Sequence, residues 1–170
     1  MARSIRSYTP ADFTAGRALW DELTQRHRDI YEDQTIGGDD PGAAFDLYLA
    51  MDGLRGPWVA ELDGKVVGLT GLLLEHGWNE AEIEPVIVSA PYRSQGVGEA
   101  LVQRALAEAR SAGVRSVTVR PVARNVEAIA FFVRAGFDAV GQIDLFQDLS
   151  ADADRQMKPG ITLHGHALKY

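Results

Sequence analysis

The sequence contains no cysteine, and this absence excludes disulfide bonds, thiolate zinc sites, iron–sulfur ligation and a cysteine nucleophile. It also lacks an apolar run near the roughly 20 residues that span a bilayer, and no apolar segment follows the arginines close to the N-terminus. We therefore predict a cytoplasmic protein without a membrane partner. Its four histidines show no paired spacing with carboxylates, so no metal site is predicted.

Basic residues are the minority among the charged side chains. Seventeen Lys and Arg against 24 Asp and Glu give a formal charge of −7 at pH 7. An acidic chain is repelled by phosphate backbones, so nucleic acid is not an expected partner. With 170 residues, 46% of them hydrophobic, and no internal repeat, the chain has the size and composition of one domain over residues 1–170.

Turn residues and apolar periodicity divide the first half of the chain into four strands and two helices. The first helix begins at Pro10 and ends before Ile30, and the second follows Pro41 after an acidic surface loop at residues 29–40. Asp63 and Gly64 form a hairpin turn between two of the strands. The predicted strands cover residues 5–8, 58–62, 66–74 and 81–89.

The second half begins with a strand–helix–strand pattern, which predicts a parallel βαβ unit. Its helix ends at Gly113, where a left-handed cap costs little. The whole pattern predicts an α+β fold with a mixed sheet of about seven strands and four helices. The predicted helices of this half cover residues 98–112 and 125–135, and its strands cover residues 114–122, 137–149 and 161–170.

Residues 91–98 connect a strand to a helix and carry the chemical signal. Such a loop directs unpaired N–H groups and the positive end of the helix dipole outward, an arrangement that suits a pyrophosphate. Gly96 and Gly98 allow the backbone to approach phosphate oxygens, and Arg93 offers a direct contact. The third glycine of a dinucleotide fingerprint and the Lys-Ser/Thr ending of a Walker A loop are both missing.

Two motifs together resemble the GNAT N-acetyltransferase superfamily. The first is the Arg/Gln-x-x-Gly-x-Gly/Ala coenzyme A loop that ends at Gly98. The second is the segment from Asn125 to Phe137, which is similar to the family pattern N-x-x-A-x-x-F-Y-x-x-x-G-F. The order of predicted elements agrees with the family over nearly the whole chain.

The resemblance implies a mostly antiparallel sheet that splays between its fourth and fifth strands to admit the pantetheine arm of acetyl-CoA, the cosubstrate. The backbone around Ile87 and Val88 would pair with the pantetheine amides, and Asn125 would contact the arm's far end. A plain helix cap is an equally open interpretation of Asn125. The residues expected at the pyrophosphate are Arg93, Ser94, Gln95, Gly96, Val97 and Gly98.

The resemblance also implies a tyrosine in the last helix that protonates the departing thiolate, but Phe132 occupies that position here. Three interpretations stay open. Another group acts as the acid, with Tyr92, Tyr31 and Tyr48 as candidates. Alternatively, the thiol leaves without an acid and positioning supplies the rate. In the third, the chain is a noncatalytic acyl-CoA-binding module.

Glu84 and Glu82 are the candidates for the base that takes the proton of the attacking amine. They lie two apart and therefore share one face of a strand. Glu84 is preferred because Pro85 should loosen the antiparallel ladder beside it. The alternative is that both carboxylates merely face solvent.

The resemblance assigns the choice of acceptor to the first two helices and their loop, which is acidic here, so a small cationic amine or a peptide amine is expected. His76 and Trp78 are further candidates for the acceptor site. Exposed strands near the C-terminus would permit a homodimer. The four aromatic residues that would supply an apolar wall, or serve as core, are Trp20, Tyr31, Tyr48 and Trp58.

Overall fold

A computed structural model of the chain describes residues 3–75, 79–147, 149 and 157–170. Its strands are β1 (Arg3–Ser7), β2 (Leu54–Leu62), β3 (Lys65–Glu75), β4 (Glu80–Val88), β5 (Ser116–Thr118), β6 (Pro159–Leu163) and β7 (His166–Lys169). Its α-helices are α1 (Phe13–Tyr31), α2 (Ala43–Leu49), α3 (Val97–Ala112) and α4 (Val126–Arg134). One-turn 3-10 helices at Pro10–Asp12 and Ala90–Tyr92 precede α1 and α3. The chain divides into two compact units, Met1–Arg120 and Pro121–Tyr170.

The first unit contains a five-stranded sheet in the order β1-β2-β3-β4-β5. The first four strands pair antiparallel, and β5 pairs parallel to β4. The mixed, mostly antiparallel α+β fold with four helices in the described residues confirms the expected fold class. The strand count of the central sheet does not match the predicted seven, because β6 and β7 form a separate two-stranded antiparallel sheet in the second unit.

Both faces of the central sheet are covered by helices. Val59 packs with Leu19 of α1 and Phe45 of α2, whereas the next residue, Ala60, packs with Leu101 of α3. Successive side chains of a strand point to opposite faces, so this alternation places α1 and α2 on one face and α3 on the other. The sheet is therefore the middle layer of the first unit.

Helix α1 runs two residues further than its sequence predicts. It continues through Ile30 to Tyr31 and ends at Glu32, which adopts a left-handed conformation with φ of 56°. The Glu32 N–H donates to the carbonyl of Arg28, and this closes the last turn. The described part of the chain contains no helix of the length and apolarity that crossing a membrane requires.

The strand predicted over residues 137–149 is wrong. The described residues of this segment form no regular strand. Val140 and Leu145 are 79% and 73% exposed, and among the described residues no second strand pairs with the segment to bury its apolar side chains.

The single strand predicted over residues 161–170 is also wrong, because the chain turns back at His164 and Gly165. Their φ angles are 48° and 83°, the left-handed pair that a tight two-residue hairpin needs. Leu163 consequently pairs with His166 across the turn. This turn makes β6 and β7 a hairpin.

Candidate functional site

Strand β4 has neighbours on both sides only over its first residues. Its parallel ladder with β5 starts at Glu80 and ends where Glu82 lies opposite Thr118. On the other side, β3 accompanies β4 as far as Val88. Among the described residues, the remainder of β4, residues 83–88, has no strand on the β5 side. The strand predicted over residues 114–122 is shorter than expected, because β5 ends at Thr118. Its end leaves an open sheet edge on β4 at the place where the splay between the fourth and fifth strands was predicted.

The β3–β4 ladder is irregular at the middle of this edge. Its register shifts between Thr70 and Leu72, so Glu84 and Pro85 of β4 together lie opposite Gly71. Proline has no N–H to donate to a ladder, which explains the interruption. The sequence correctly predicted that the ladder would loosen beside Pro85.

Tyr48 of α2 reaches this irregular segment from the helical layer. Its hydroxyl donates a hydrogen bond of 2.7 Å to the backbone carbonyl of Glu84. A Cβ atom at Gly71 would collide with the same hydroxyl, so glycine leaves the room that the tyrosine needs. Burial of Tyr48 and the nearby charge of Glu84 both raise the pKa of the phenol.

The loop after β4 adopts the conformation that exposes the start of α3. Ser94 and Gly96 are both left-handed, with φ of 58° and 76°. Gly96 is the N-cap residue of α3, so no cap side chain covers the N–H groups of the first turn. Val97, only 1% exposed, anchors that turn in the core against Ala60. The helix start is thus held rigidly while its amides and dipole remain available to an anion.

Two loop side chains bond to the loop itself. Arg93 Nε donates to the carbonyl of Val88 at 2.9 Å, and Gln95 Nε2 donates to the carbonyl of Pro91 at 3.0 Å. Arg93 was expected at a phosphate, and its Nε instead closes the end of β4. The remaining nitrogens of its exposed guanidinium lie beside the loop, where they can meet an anion.

Glu22 of α1 ties the same region to the opposite layer. One carboxylate oxygen accepts from Ser89 Oγ at 2.9 Å, and the other accepts from the N–H of Ala90 at 3.2 Å. Ser89 and Ala90 join the end of β4 to the loop. Glu22 therefore fixes the angle at which the chain leaves the open edge.

The two candidate bases have different surroundings. Glu82 is 6% exposed and forms an ion pair with Arg120, which also contacts Glu75 at 3.0 Å. Glu84 keeps contact with solvent, but the surrounding protein partly desolvates its carboxylate and raises its pKa above the ordinary 4.5. Only Glu84 combines an accessible carboxylate with an increased affinity for a proton.

The three tyrosines considered as acids lie in distinct places. Tyr48 is 2% exposed and donates its proton to a carbonyl. Tyr92 is half-buried, packs against the α3 side of the core and has the Lys65 ammonium 5.6 Å from its ring centroid. Tyr31 is the last residue of α1. Tyr48 is thus engaged elsewhere, and Tyr92 lies next to the loop.

Asn125 and Phe132 belong to the second unit. The Asn125 side chain accepts a hydrogen bond of 3.1 Å from the N–H of Ala128, which is the predicted helix cap. Phe132 lies among aromatic rings, 5.0 Å from Phe131 and 5.8 Å from Phe137 between centroids. The ring contributes packing and has no proton to donate.

An acidic cavity of about 450 Å³ is lined by side chains of α1 and of residues 39–41. Four carboxylates and one guanidinium contribute to its lining, and Asp40 among them is bonded by Arg17 through two contacts of 2.7 Å. His76 and Trp78 lie outside the described residues. Within the described ranges, no three His, Asp or Glu side chains are grouped to hold a metal ion. The lining residues of the cavity are Asp21, Glu22, Gln25, Arg28, Asp39, Asp40 and Pro41.

Comparison with known families gives one match that spans most of the chain. The acetyltransferase (GNAT) family matches residues 16–137, which include the open edge, the loop and α3. The chain belongs to the GNAT family. The resemblance inferred from the two sequence motifs is therefore confirmed.

Individual GNAT relatives are distant. The chain is 32% identical to rat N-acetyltransferase 8B over 99 residues, 56% of this chain and 44% of that protein. It is 29% identical to an Escherichia coli streptothricin acetyltransferase over 126 residues, 74% of this chain and 65% of that protein. The chain spans less than half the length of the first curated relatives that it matches.

A solved structure supports the same fold. An aminoglycoside N-acetyltransferase in complex with coenzyme A matches with a TM-score of 0.66 and 18% identity, over 88% of this chain and 96% of that one. At this identity, the likeness concerns the fold.

Sequence reasoning missed three residues that shape the candidate site: Glu22, Gly71 and Arg120. Each acts through a partner far along the chain, such as Ser89 for Glu22, 67 positions away. Local spacing carries no signal for such pairs. The one available hint was Gly71, a glycine inside a strand pattern, which is typical of a bulge or a close approach.

Proposed function

We propose that the chain is an acetyl-CoA-dependent N-acetyltransferase that acts on a primary amine in a ternary complex. The observation that carries this proposal is the open edge of β4 leading directly into the exposed start of α3. An extended, amide-bearing arm that ends in a pyrophosphate is complementary in shape and polarity to this pair of features.

The chain's own groups fit such a cosubstrate. The N–H groups of residues 95–98 would meet the pyrophosphate with the dipole of α3 behind them, and Arg93 would offer further guanidinium donors. The backbone of Ile87 and Val88 lies on the open edge, where it can pair with amides of the arm. Asn125 belongs to the second unit, where it caps α4, and its contact with the far end of the arm stays a prediction from the family resemblance.

The bound cosubstrate supplies the activated acetyl group. The amine nitrogen forms a bond to the acetyl carbon, the carbon–sulfur bond breaks as the thiolate departs, and the nitrogen releases its second proton to water, which leaves a neutral amide. Before this, Glu84 takes a proton from the ammonium, directly or through water. A carboxylate with a raised pKa holds that proton better than an ordinary one, and Glu84 is accessible at the open edge, whereas Glu82 is paired with Arg120.

Departure of the thiolate needs no tyrosine in this proposal. Thiols are acidic enough to leave as anions near neutral pH, so correct placement of the two reactants supplies most of the rate. Phe132 at the usual tyrosine position is compatible with this route, and Tyr92 beside the loop and Tyr31 stay candidate acids.

A small cationic amine or a basic peptide is the acceptor that the charge distribution favours. The cavity on α1 is lined by four carboxylates and one guanidinium, and its charge stays negative although Arg17 pairs with Asp40, which raises the local concentration of cations. The streptothricin acetyltransferase relative supports a small-molecule acceptor. The acidic balance of the chain disfavours nucleic acid, and a cytoplasmic location completes the proposal.

Calorimetric titration with acetyl-CoA tests the cosubstrate site. Gly96→Glu places a carboxylate at the proposed pyrophosphate position and should weaken binding by about 100-fold or more, because like charges in contact cost several kcal/mol. Gly113→Glu is the matched control, since Gly113 has a similar φ of 72° at the other end of α3 and open space around it. Equal affinity of a folded Gly96→Glu variant and the wild-type chain would contradict the site.

A noncatalytic acyl-CoA-binding module is the second candidate, favoured by Phe132. Release of coenzyme A separates the two when spermidine, kanamycin and a lysine-containing peptide serve as probe amines. If the chain is an enzyme, adding the amine accelerates the release of coenzyme A, and the Glu84→Gln variant lacks this acceleration. A binding module shows tight, Gly96-dependent binding and no acceleration by any probe.

A further inference from the structure

The hydrogen bond between Tyr48 and Glu84 joins the helical layer to the irregular part of the β3–β4 ladder. The phenol donates to the Glu84 carbonyl at 2.7 Å from a position that is 2% exposed. Because water does not reach this donor, breaking the bond would leave a buried hydroxyl without a partner. The contact is therefore costly to lose and holds its two ends together.

The neighbours of Tyr48 fix where its hydroxyl lies. The ring centroid is 5.2 Å from that of Trp20 and 6.2 Å from that of Phe45, which is completely buried. Gly71 contributes the space for the hydroxyl, which a Cβ atom would occupy. A packed ring with a reserved space has one position, so the carbonyl that it binds is also held in one position.

The Glu84 carbonyl has lost its regular place in the ladder. Pro85 offers no N–H, and Glu84 and Pro85 together face the single residue Gly71. A bulge re-aims the side chains of the residues within it. The donor that stabilises this bulge comes from α2, and the carbonyl and the carboxylate of Glu84 share one Cα atom.

We propose that Tyr48 is a positioning residue: by holding the Glu84 carbonyl in the space beside Gly71, it directs the Glu84 carboxylate toward the open edge of β4, where the amine is deprotonated. This role rests on the proposed function, in which Glu84 is the base. Tyr48 itself touches neither reactant.

Tyr48→Phe removes the hydroxyl and keeps the ring. The turnover rate with the probe amine should fall by roughly 10- to 100-fold, the loss that a displacement of about 1 Å can cause. The dissociation constant of acetyl-CoA should stay within about twofold, since neither the loop nor residues 87–88 change. Tyr8→Phe is the matched control, because Tyr8 also packs on Phe45, with centroids 5.8 Å apart, and loses the same atom.

A double-mutant cycle distinguishes positioning from general destabilisation. Gly71→Ala displaces the Tyr48 hydroxyl and should reproduce the loss of turnover. In the Tyr48→Phe background the colliding hydroxyl is absent, and the added carbon meets only the ring Cζ and Leu54 Cδ1, at 3.2 and 3.1 Å. The same alanine should therefore cause a smaller additional loss than it does alone. In the Glu84→Gln background, Tyr48→Phe should likewise have little further effect, because the group that it positions is already gone.

The outcomes separate the two claims. If the wild-type protein is active and a folded Tyr48→Phe variant has the same turnover rate, the positioning role is overturned and the proposed function stays intact. Independent, multiplicative losses from Tyr48→Phe and Glu84→Gln would overturn it as well. If wild-type protein binds acetyl-CoA but acetylates none of the probe amines, the proposed function fails, and the positioning role fails with it.

Discussion

Arg6 holds the Asp12 carboxylate at two points, with Nη1 2.7 Å from one oxygen and Nη2 2.8 Å from the other. Thr9 donates to the same carboxylate from its backbone N–H at 2.8 Å and from its hydroxyl at 3.0 Å. Arg6 Nε also donates to Glu61 of β2 at 2.8 Å. This network joins the edge of the sheet to the start of α1.

The network should make stability depend on pH. The Arg6 hydrogen bonds, with smaller contributions from Thr9, lower the pKa of Asp12 from 3.8 to about 2. A carboxyl whose pKa is lower in the folded state stabilises the fold above its unfolded pKa, and this stabilisation is lost as the pH falls from about 4 to about 2. Asp12→Asn should lower the free energy of unfolding by about 1–2 kcal/mol at pH 7, allowing for solvent screening at the partly exposed Arg6.

Urea denaturation at several pH values measures this effect. The difference between wild-type protein and Asp12→Asn should shrink steadily below pH 4 or so, as expected from the shifted pKa. Asp138→Asn, the same substitution at an exposed position, serves as the control for the change in net charge. A difference that stays constant down to pH 2 or so would show that Asp12 does not contribute through its charge.

The pH profile of turnover should reflect the protonation of the Glu84 carboxylate. A base must be deprotonated to act, so activity should fall at acidic pH with a midpoint above 4.5, because desolvation raises the pKa of Glu84. Glu84→Gln should reduce the rate by at least roughly 100-fold and remove this acidic limb. Glu80→Gln on the same strand should keep both the rate and the limb. A Glu84→Gln enzyme with an unchanged profile would assign the base elsewhere.

Glu22 should influence the affinity for acetyl-CoA from a distance. Glu22→Ala removes the acceptor for Ser89 Oγ and the N–H of Ala90, and the loop that follows should lose its fixed starting angle. We expect the dissociation constant to rise by about 5- to 10-fold, the equivalent of one or two hydrogen bonds. Asp21→Ala, next to it on α1, should leave the constant unchanged in the same titration. If Glu22→Ala and Asp21→Ala have the same dissociation constant for acetyl-CoA, the loop keeps its conformation without Glu22.

Gly16 should resist replacement although alanine favours helices. A Cβ atom at Gly16 would collide with the ring of Phe45, which is completely buried. Gly16→Ala should therefore destabilise the chain by about 1–3 kcal/mol, the usual cost of overpacking. Gly141→Ala, with nothing within 4 Å of the added carbon, should stay within about 0.5 kcal/mol. A stabilising Gly16→Ala in thermal unfolding would show that the ring moves freely.

The loop and the open edge were predictable because their signals are local. Gly96 must be left-handed at the start of α3, and Pro85 must interrupt a ladder, wherever the rest of the chain lies. The contacts of the candidate site that join residues far apart in the sequence were not predictable. The pairing of Glu82 with Arg120 and of Glu84 with Tyr48 depends on how strands and helices stack, which residue spacing does not encode.

The two wrong strand predictions have different physical causes. Residues 137–149 have the apolar content of a strand, but a strand is stable only with a partner, and their side chains stay exposed. The turn at His164 and Gly165 was missed because one residue of the left-handed pair is not a glycine. The prediction of one domain over residues 1–170 and that of a homodimer remain predictions.

An open sheet edge also promotes aggregation, because any extended segment with unpaired amides can pair with it. On β4 the opening is limited to residues 83–88, with the Arg120–Glu82 ion pair at one end and the one-turn helix Ala90–Tyr92 at the other. Pro85 removes a donor from its middle, and the bulge breaks the flat register that a second strand requires. The irregularity that shapes the candidate site thus also protects the molecule from joining its neighbours edge to edge.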